Sequence, residues 1–359
     1  MIRVLVVDDS PVARELLMHI LNADPGIEVI GSAVNGGEAV EFVARDRPDL
    51  ITMDIHMPVM DGFEASRIIM ETQPVPIVIV TASYDMRELE TSFRAIETGA
   101  LTVLQKPQGI GHPDHERNAR SLIATVKLMS EIKVVRRWVR TAERRRPQPA
   151  PEVDPICRPF AVKVVAIGAS TGGPPVIEKL LASLPKDFPS PIVIVQHMAE
   201  GFIRGFVEWL GQTSSLPVHV PFHGSMTRPG HVYVAPDGAQ MKMDAGGRIC
   251  CTHDAPENGL RPSVSYLFRS VAETFGRNGV GVLLTGMGRD GSAELRLMKD
   301  RGAVTIAQDE QSSAVYGMPG EAVKLEAARY VLPADRIAGV LTNIVMPGIN
   351  NENRGGDSV

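Results

Sequence analysis

Short apolar, β-branched runs alternate along the chain with segments whose apolar residues recur at helical spacing. From Ile2 to Lys106 the runs IRVLVV, IEVIGSA, LITMDI, PIVIVTAS and LTVLQK are separated by VARELLMHIL, GGEAVEFVARD, DGFEASRIIME and MRELETSFRAIETG. Runs that are apolar at almost every position read as strands buried on both faces, and the amphipathic segments between them as crossover helices. The repeat predicts a parallel, doubly wound sheet, in which ligands collect at the carboxyl ends of the strands. From Phe160 the alternation resumes. The strands AVKVVAIG, PIVIVQHM, VHVPF, HVYVAP, VGVLLTGMG and AVTIAQ are interleaved with VIEKLLASL, FIRGFVEWLGQ, VSYLFRSVAETFG and SAELRLMKDRG. This predicts a second, mainly parallel α/β domain with its own sheet, and no internal repeat relates the halves.

The join breaks both patterns. After about Ser130 the segment KVVRRWVRTAERRRPQPAPEVDP is basic, then proline-rich, and has no second hydrophobic face. It reads as a helical extension running into a linker. The expected organisation is therefore a first domain over 1–125, an extension and linker over 126–158, a second domain over 159–347, and a disordered polar tail over 348–359. A length of 359 residues agrees with two cores of moderate size.

Charge and cysteine content narrow the function. The net charge of -5 gives no overall pull toward nucleic acid or an anionic membrane, and the arginines of the join read as a solvated face. Cys157, Cys250 and Cys251 make no disulfide framework and suit a reducing compartment. The N-terminus meets Asp8 and Asp9 after a short apolar run, unlike a secretory signal, and no stretch of about 18 apolar residues is present to span a bilayer. A cytoplasmic protein without membrane insertion is expected.

Asp8 and Asp9 end the first strand and Asp54 the third. Carboxylates gathered at one sheet edge repel, so they protonate or share a cation, and Mg2+ suits an all-oxygen site. The strand-end set VVDDS, MDIHMP, VTAS and QKP, in that order, resembles the receiver domain of response regulators, a flavodoxin-like (βα)5 fold. That resemblance implies that Asp54 accepts a phosphoryl group from a histidine kinase. It implies that Asp8, Asp9, Asp54 and the backbone carbonyl of His56 hold Mg2+, that Lys106 pairs with the phosphoryl oxygens, and that the Thr81 hydroxyl follows the phosphate as a switch. The bond before Pro107 is expected to be cis. Val103 stands where many receivers have an aromatic residue, which puts the usual threonine–aromatic coupling in question. The His56 side chain is expected to face solvent.

In the second half the turn GASTGGPP fits neither G-x-G-x-x-G, nor the nucleoside-triphosphate loop, nor the G-x-S-x-G elbow. Ser170 taken alone reads as a plain turn residue. A serine hydroxyl needs a base, and the base needs an orienting group. The strand PIVIVQHM ends at His197, and VGVLLTGMGRDG presents Asp290 in a glycine loop. In a parallel sheet these strand ends face one crevice, so Ser170, His197 and Asp290 can converge as a triad. His223, His231 and His253 lie in turns without the ligand spacing of zinc sites. Cys250 and Cys251 read as buried strand residues.

The motifs IGASTGGP, IVQHM, PGHVYVAP, RPSVSYLF, LTGMGRDG and QDEQSSAVYGMP, joined to the receiver pattern, resemble the chemotaxis protein-glutamate methylesterase family over about residues 1–345. The resemblance implies that Ser170 is nucleophile, His197 general base and Asp290 its orienting group. The backbone N–H groups of Thr171 and Met287 are then the expected oxyanion donors, each of a kind that contributes about 2.7 to 4 kcal/mol to transition-state stabilisation. The implied substrates are γ-glutamyl methyl esters, and certain glutamines, on the cytoplasmic helices of methyl-accepting chemoreceptors. No cofactor is implied for this domain. Until Asp54 is phosphorylated, the receiver is expected to cover the Ser170 crevice. Competing readings are a regulator with a binding module, which would need a basic recognition helix, and a serine hydrolase of small esters.

Overall fold

The computed structural model describes residues 1–81, 100–132, 134 and 161–346. The expected helix over Met86 to Gly99, the proline-rich join with Cys157, and the tail lie outside the described residues. The chain divides into two units, Met1–Glu143 and Arg144–Val359.

In the first unit the elements run β1 (Ile2–Val7), α1 (Pro11–Asn22), β2 (Ile27–Ala33), α2 (Gly36–Arg45), β3 (Leu50–Met53), α3 (Gly62–Thr72), β4 (Ile77–Thr81), β5 (Thr102–Gln105) and α4 (His115–Ser130). Their sheet has the order β2-β1-β3-β4-β5 and is parallel throughout, the flavodoxin-like arrangement. Every residue of β3 and β4 is buried, as expected of strands covered by helices on both faces. Helix starts follow local chemistry. The Ser10, Asn35 and Asp61 side chains each accept a backbone N–H of the first turn, and Pro11 opens α1, where its missing N–H costs nothing. Buried Val126 and Met129 lie on α4, so the packing of this unit runs past the expected boundary at residue 125.

The second unit contains β6 (Val164–Ala169), α5 (Gly173–Ala182), β7 (Ile192–Gln196), α6 (Ile203–Thr213), β8 (Val218–His219), β9 (Ser225–Met226), β10 (Val232–Val234), β11 (Gln240–Met243), β12 (Arg248–Thr252), α7 (Val264–Phe275), β13 (Gly279–Leu283), α8 (Ser292–Asp300), β14 (Val304–Gln308), α9 (Met318–Lys324), β15 (Tyr330–Leu332) and α10 (Ala334–Val345). Its main sheet, β15-β14-β13-β6-β7-β10-β8, is parallel. From β6 the chain builds outward through β7 on one side and later through β13 on the other. The carboxyl edge between β6 and β13 is therefore the topological switch point, where crevices form.

Three features depart from the sequence reading. The strands expected from VHVPF and HVYVAP shrink to Val218–His219 and Val232–Val234, because Pro217, Pro221 and Pro236 flank them and proline cannot donate to a ladder. A small antiparallel sheet, β11-β12-β9, was not foreseen. It carries Cys250 and Cys251 on β12, half-buried rather than buried, since this sheet leaves part of one face to solvent.

Candidate catalytic and phosphoacceptor sites

The switch point of the first sheet lies between β1 and β3, and the residues just past those strands are Asp8 and Asp54. Carboxylate oxygens of Asp8, Asp9 and Asp54 all lie within 4.8 Å of one another. Asp8 and Asp54 are buried, whereas Asp9 is exposed. Lys106 reaches in from the end of β5, with Nζ 2.8 Å from Asp8 Oδ2 and 2.9 Å from Asp54 Oδ2. Burial pushes the Asp54 carboxyl above its usual range, only partly offset by the Lys106 ammonium. Burial also works against the Lys106 charge, but Asp8 and Asp54 outweigh it and raise its pKa.

Asp8 Oδ2 touches that ammonium yet has no aligned hydrogen-bond donor. A buried carboxylate oxygen left in this condition, beside two further carboxylates, is a donor set that fits a hard divalent cation. Thr81 is buried at the end of β4, where its carbonyl accepts the Lys106 N–H at 2.7 Å. Val103 is buried on β5, and the His56 side chain is exposed. The Lys106–Pro107 bond is trans, against expectation; the cis bond among the described residues is Arg261–Pro262. Trans is the lower-energy form even before proline, by about 0.5–1 kcal/mol, and the Lys106 anchor to Thr81 already sets the course of the turn.

In the second sheet, β6 pairs with β7 on one side and β13 on the other, and the pairing continues past the strand ends. His197 N donates to Ala169 O at 2.9 Å and Ser170 N to Thr285 O at 3.0 Å, so Ser170 sits between the exits of β7 and β13. The His197 side chain is 10% exposed and its Nε2 lies 2.9 Å from Asp290 Oδ2. An ionised carboxylate only accepts, so Nε2 carries the proton and the Nδ1 lone pair of the neutral ring is left available.

Asp290 is held from several directions. Ser263 Oγ and Ser265 N donate to Oδ1 at 2.8 and 3.1 Å, and Val264 N donates to Oδ2 at 2.6 Å. The carboxylate thus occupies the N-terminus of α7, where free N–H groups and the helix dipole favour negative charge. Burial opposes ionisation, but the hydrogen bonds from His197, Ser265 and Ser263 outweigh it and lower the pKa to about 2. Close packing makes this possible: a Cβ on Gly291, which has φ 82°, would lie 2.3 Å from Val264 Cγ1.

Ser170, His197 and Asp290 therefore stand at neighbouring strand ends, with His197 and Asp290 directly paired. Among the described residues the Ser170 hydroxyl makes no hydrogen bond to the imidazole. Such nucleophile–base contacts commonly tighten only with substrate bound. The backbone N–H groups of Thr171 and Met287 have no partner among the described residues. Gly286 lies against Ser170, since a Cβ there would come within 2.7 Å of Ser170 Cβ.

Four side chains near the site escaped the sequence reading. Ser263 has the residue type and position of an N-cap, but its hydroxyl serves Asp290 instead. Thr285 Oγ1 donates toward Thr171 O and Val315 O, at 3.0 and 3.2 Å, and accepts from Val315 N. Gln308 Oε1 accepts the Thr285 N–H at 2.8 Å. Gln196 precedes the histidine in the motif IVQHM, which was the available signal; its Nε2 donates to both Ser170 O and His197 O.

The histidines weighed for metal binding have other partners. His231 bonds His219 at 2.8 Å, His223 meets Cys251 O, and His253 meets Gly238 O. Burial pushes the Cys251 thiol up to about 11, away from nucleophilic reactivity. Among the described residues no helix is long and apolar enough to cross a membrane.

Residues 165–341 match the family model for the CheB methylesterase, and residues 4–112 that for the response regulator receiver domain. A protein-glutamate methylesterase/protein-glutamine glutaminase of Nitrosospira multiformis is 56% identical over 345 residues, 96% of this chain and 97% of the relative. One from Geobacter metallireducens is 56% identical over 350 residues, 96% of this chain and 99% of the relative. The crystal structure of the Thermotoga maritima CheB methylesterase catalytic domain is 36% identical, covers 52% of this chain and 100% of that chain, and has a TM-score of 0.50.

Proposed function

Because the chain belongs to the CheB methylesterase family, with a response-regulator receiver domain ahead of the catalytic part, we propose that it demethylates and deamidates chemoreceptors through a triad at Ser170, His197 and Asp290. The observation that carries this reading is the 2.9 Å pairing of His197 Nε2 with an Asp290 carboxylate kept ionised, beside Ser170 at the switch point.

Ser170 Oγ attacks the carbonyl carbon of a γ-glutamyl methyl ester, and His197 Nδ1 takes its proton. Asp290 fixes the ring and stabilises the imidazolium. The Thr171 and Met287 N–H groups bind the oxyanion. Collapse expels methanol, protonated by His197, and water activated by the same base hydrolyses the acyl-enzyme to glutamate. A glutamine side chain follows the same course with ammonia as leaving group. The substrates in this reading are cytoplasmic helices of methyl-accepting chemoreceptors, and the setting is the cytoplasm.

In the receiver unit, Asp54 is the phosphoacceptor for a chemosensory histidine kinase. Asp8, Asp9, Asp54 and the His56 carbonyl would hold Mg2+, which when bound neutralises phosphoryl charge. Lys106, with Nζ 2.9 Å from Asp54 Oδ2, pairs as a point charge with the phosphoryl oxygens, and Thr81 offers its hydroxyl to the new phosphate. Phosphorylation raises turnover in the catalytic unit. The domain limits follow the sequence reading, with the receiver extended to Ser130.

Ser170→Ala is expected to abolish methanol release from methylated receptor membranes while Asp54 still takes phosphate from a small phosphodonor. Unchanged methanol release would overturn the serine mechanism. Equal rates of the intact chain with and without phosphodonor would remove the regulatory part alone.

A further inference from the structure

In a trans peptide the carbonyl and the following N–H point in opposite directions. The aim of the Thr171 N–H is therefore set by whatever holds the Ser170 carbonyl. That oxygen accepts from Gly173 N at 2.8 Å and from Gln196 Nε2 at 2.9 Å. The arrangement recurs across the switch point, where Gly286 O accepts from Gly317 N at 3.0 Å and Met318 N at 2.8 Å and so directs the Met287 N–H.

Of these donors only the Gln196 amide belongs to a side chain. Gln196 is 2% exposed. Its second Nε2 proton serves His197 O at 2.8 Å, and because both neighbours are carbonyls the amide must present its NH2 group to them. The cost falls on the other end, where Oε1 is buried without a hydrogen-bond partner. Packing alone gives no reason to keep an amide in that condition, since an apolar side chain of the same shape would leave nothing unpaired.

We infer that Gln196 is a positioning residue for the hydrolysis. Its amide holds the Ser170–Thr171 peptide so that the Thr171 N–H faces the developing oxyanion, and it ties the backbone of the base to the same point. Donation to the Ser170 carbonyl also polarises that peptide and strengthens its N–H as a donor. The inference rests on the proposed role of Ser170.

The test uses the full-length chain with Gln196→Met, which keeps the length and loses both donors, and Gln196→Leu, which loses both donors in a shorter apolar side chain. Methanol release is measured per site titrated to completion with a fluorophosphonate, so loss of folded protein does not count. The expected result is a fall in kcat of about 100-fold, the scale of a small misplacement of a catalytic group, with KM little changed. The midpoint of the base limb in the pH profile should stay in place, because the His197–Asp290 pair is intact. A kcat per titrated site equal to that of the unsubstituted chain, in either variant, overturns the inference.

If neither variant folds, a crystal structure of the unsubstituted chain carrying a phosphonate on Ser170 decides. The phosphoryl oxygen should accept from Thr171 N while Ser170 O remains on Gln196. An oxygen turned away from Thr171 N, or a Ser170 carbonyl released from the amide, overturns it. Ser170→Ala, which has no serine to titrate and is therefore measured per mole of folded protein, separates the two readings: methanol release by that variant sinks the serine mechanism, whereas its inactivity beside a fully active Gln196→Met sinks only the role of Gln196.

Discussion

Two buried aspartates stand at the carboxyl edges of the two parallel sheets, and their surroundings push them in opposite directions. Asp54 is raised by burial, and its described donors are Ile55 N and Lys106 Nζ. Asp290 is equally enclosed, yet Ser263, Val264, Ser265 and His197 all donate to it and its pKa falls to about 2. A carboxylate has roughly four lone-pair sites. The four donors to Asp290 engage all of them, which suits the proposed role of a group that stays charged and still while it orients a base. Asp54 keeps acceptor capacity unused, which a carboxylate needs if it is to coordinate a cation and attack phosphorus. The difference lies in the number of donors rather than in depth of burial.

The strongest way to break that comparison is Asp290→Asn. The amide has one acceptor oxygen, so an N–H of the amide must face either the α7 N-terminus or the imidazole, and the ring loses the tautomer that frees Nδ1. A loss of about 10^4 in kcat is expected, as for the equivalent change in other triads. Phosphate uptake at Asp54, followed by intact-protein mass, should match that of the unsubstituted chain. Methanol release within about tenfold of the original would mean that Asp290 does not orient His197, since one oriented hydrogen bond of this kind carries more than about 1.4 kcal/mol.

That donor count also marks where sequence reading stops. The strand-end positions of Asp8, Asp54, Ser170, His197 and Asp290 were legible, because parallel strands reveal themselves by apolar runs and their carboxyl ends by the polar residue that follows. The donors were not. Ser263, Val264 and Ser265 precede Asp290 by a whole helix and strand, and nothing local distinguishes a serine that caps its own helix from one that yields the cap to a distant carboxylate. The Ser170 hydroxyl and His197 were expected to pair, but strand register fixes backbones and leaves rotamers free. The antiparallel sheet of β9, β11 and β12 was hidden for a related reason: QMKM alternates over only four residues, and RICCT does not alternate.

A smaller effect sharpens the comparison through pH. The folded pKa of Asp290, about 2, lies below the ordinary value of 3.8. Its contribution to stability is therefore complete above the unfolded pKa and is lost as pH falls from about 4 toward 2, because the unfolded chain then binds the proton first. The amount is about 2 kcal/mol. Hydrogen exchange of the α7 segment, compared between the unsubstituted chain and Asp290→Asn, should show a gap in protection that closes across that window. A gap that stays constant down to pH 2 would show that charge on Asp290 does not anchor the helix start.

The smallest expected effect concerns the turns that follow the two proposed nucleophiles, which solve one backbone problem with different residues. After Ser170 the chain turns through Gly172 at φ 75°, where an added Cβ would meet Ala314 Cβ at 2.4 Å, so that glycine is required by both conformation and space. After Asp54 it turns through Val59 at φ 70°, a region that β-branched residues rarely enter, with the side chain 93% exposed and packed on nothing that would compensate. Strain of this kind costs about 1–3 kcal/mol. Val59→Gly removes it at an unfolded-state entropy cost of up to about 1 kcal/mol. The receiver unit should therefore gain about 1 kcal/mol, read as slower hydrogen exchange over residues 55–62 and a higher urea midpoint for that unit. A loss of stability would mean that the valine makes contacts worth more than the strain, and that the two turns differ in packing as well as in residue.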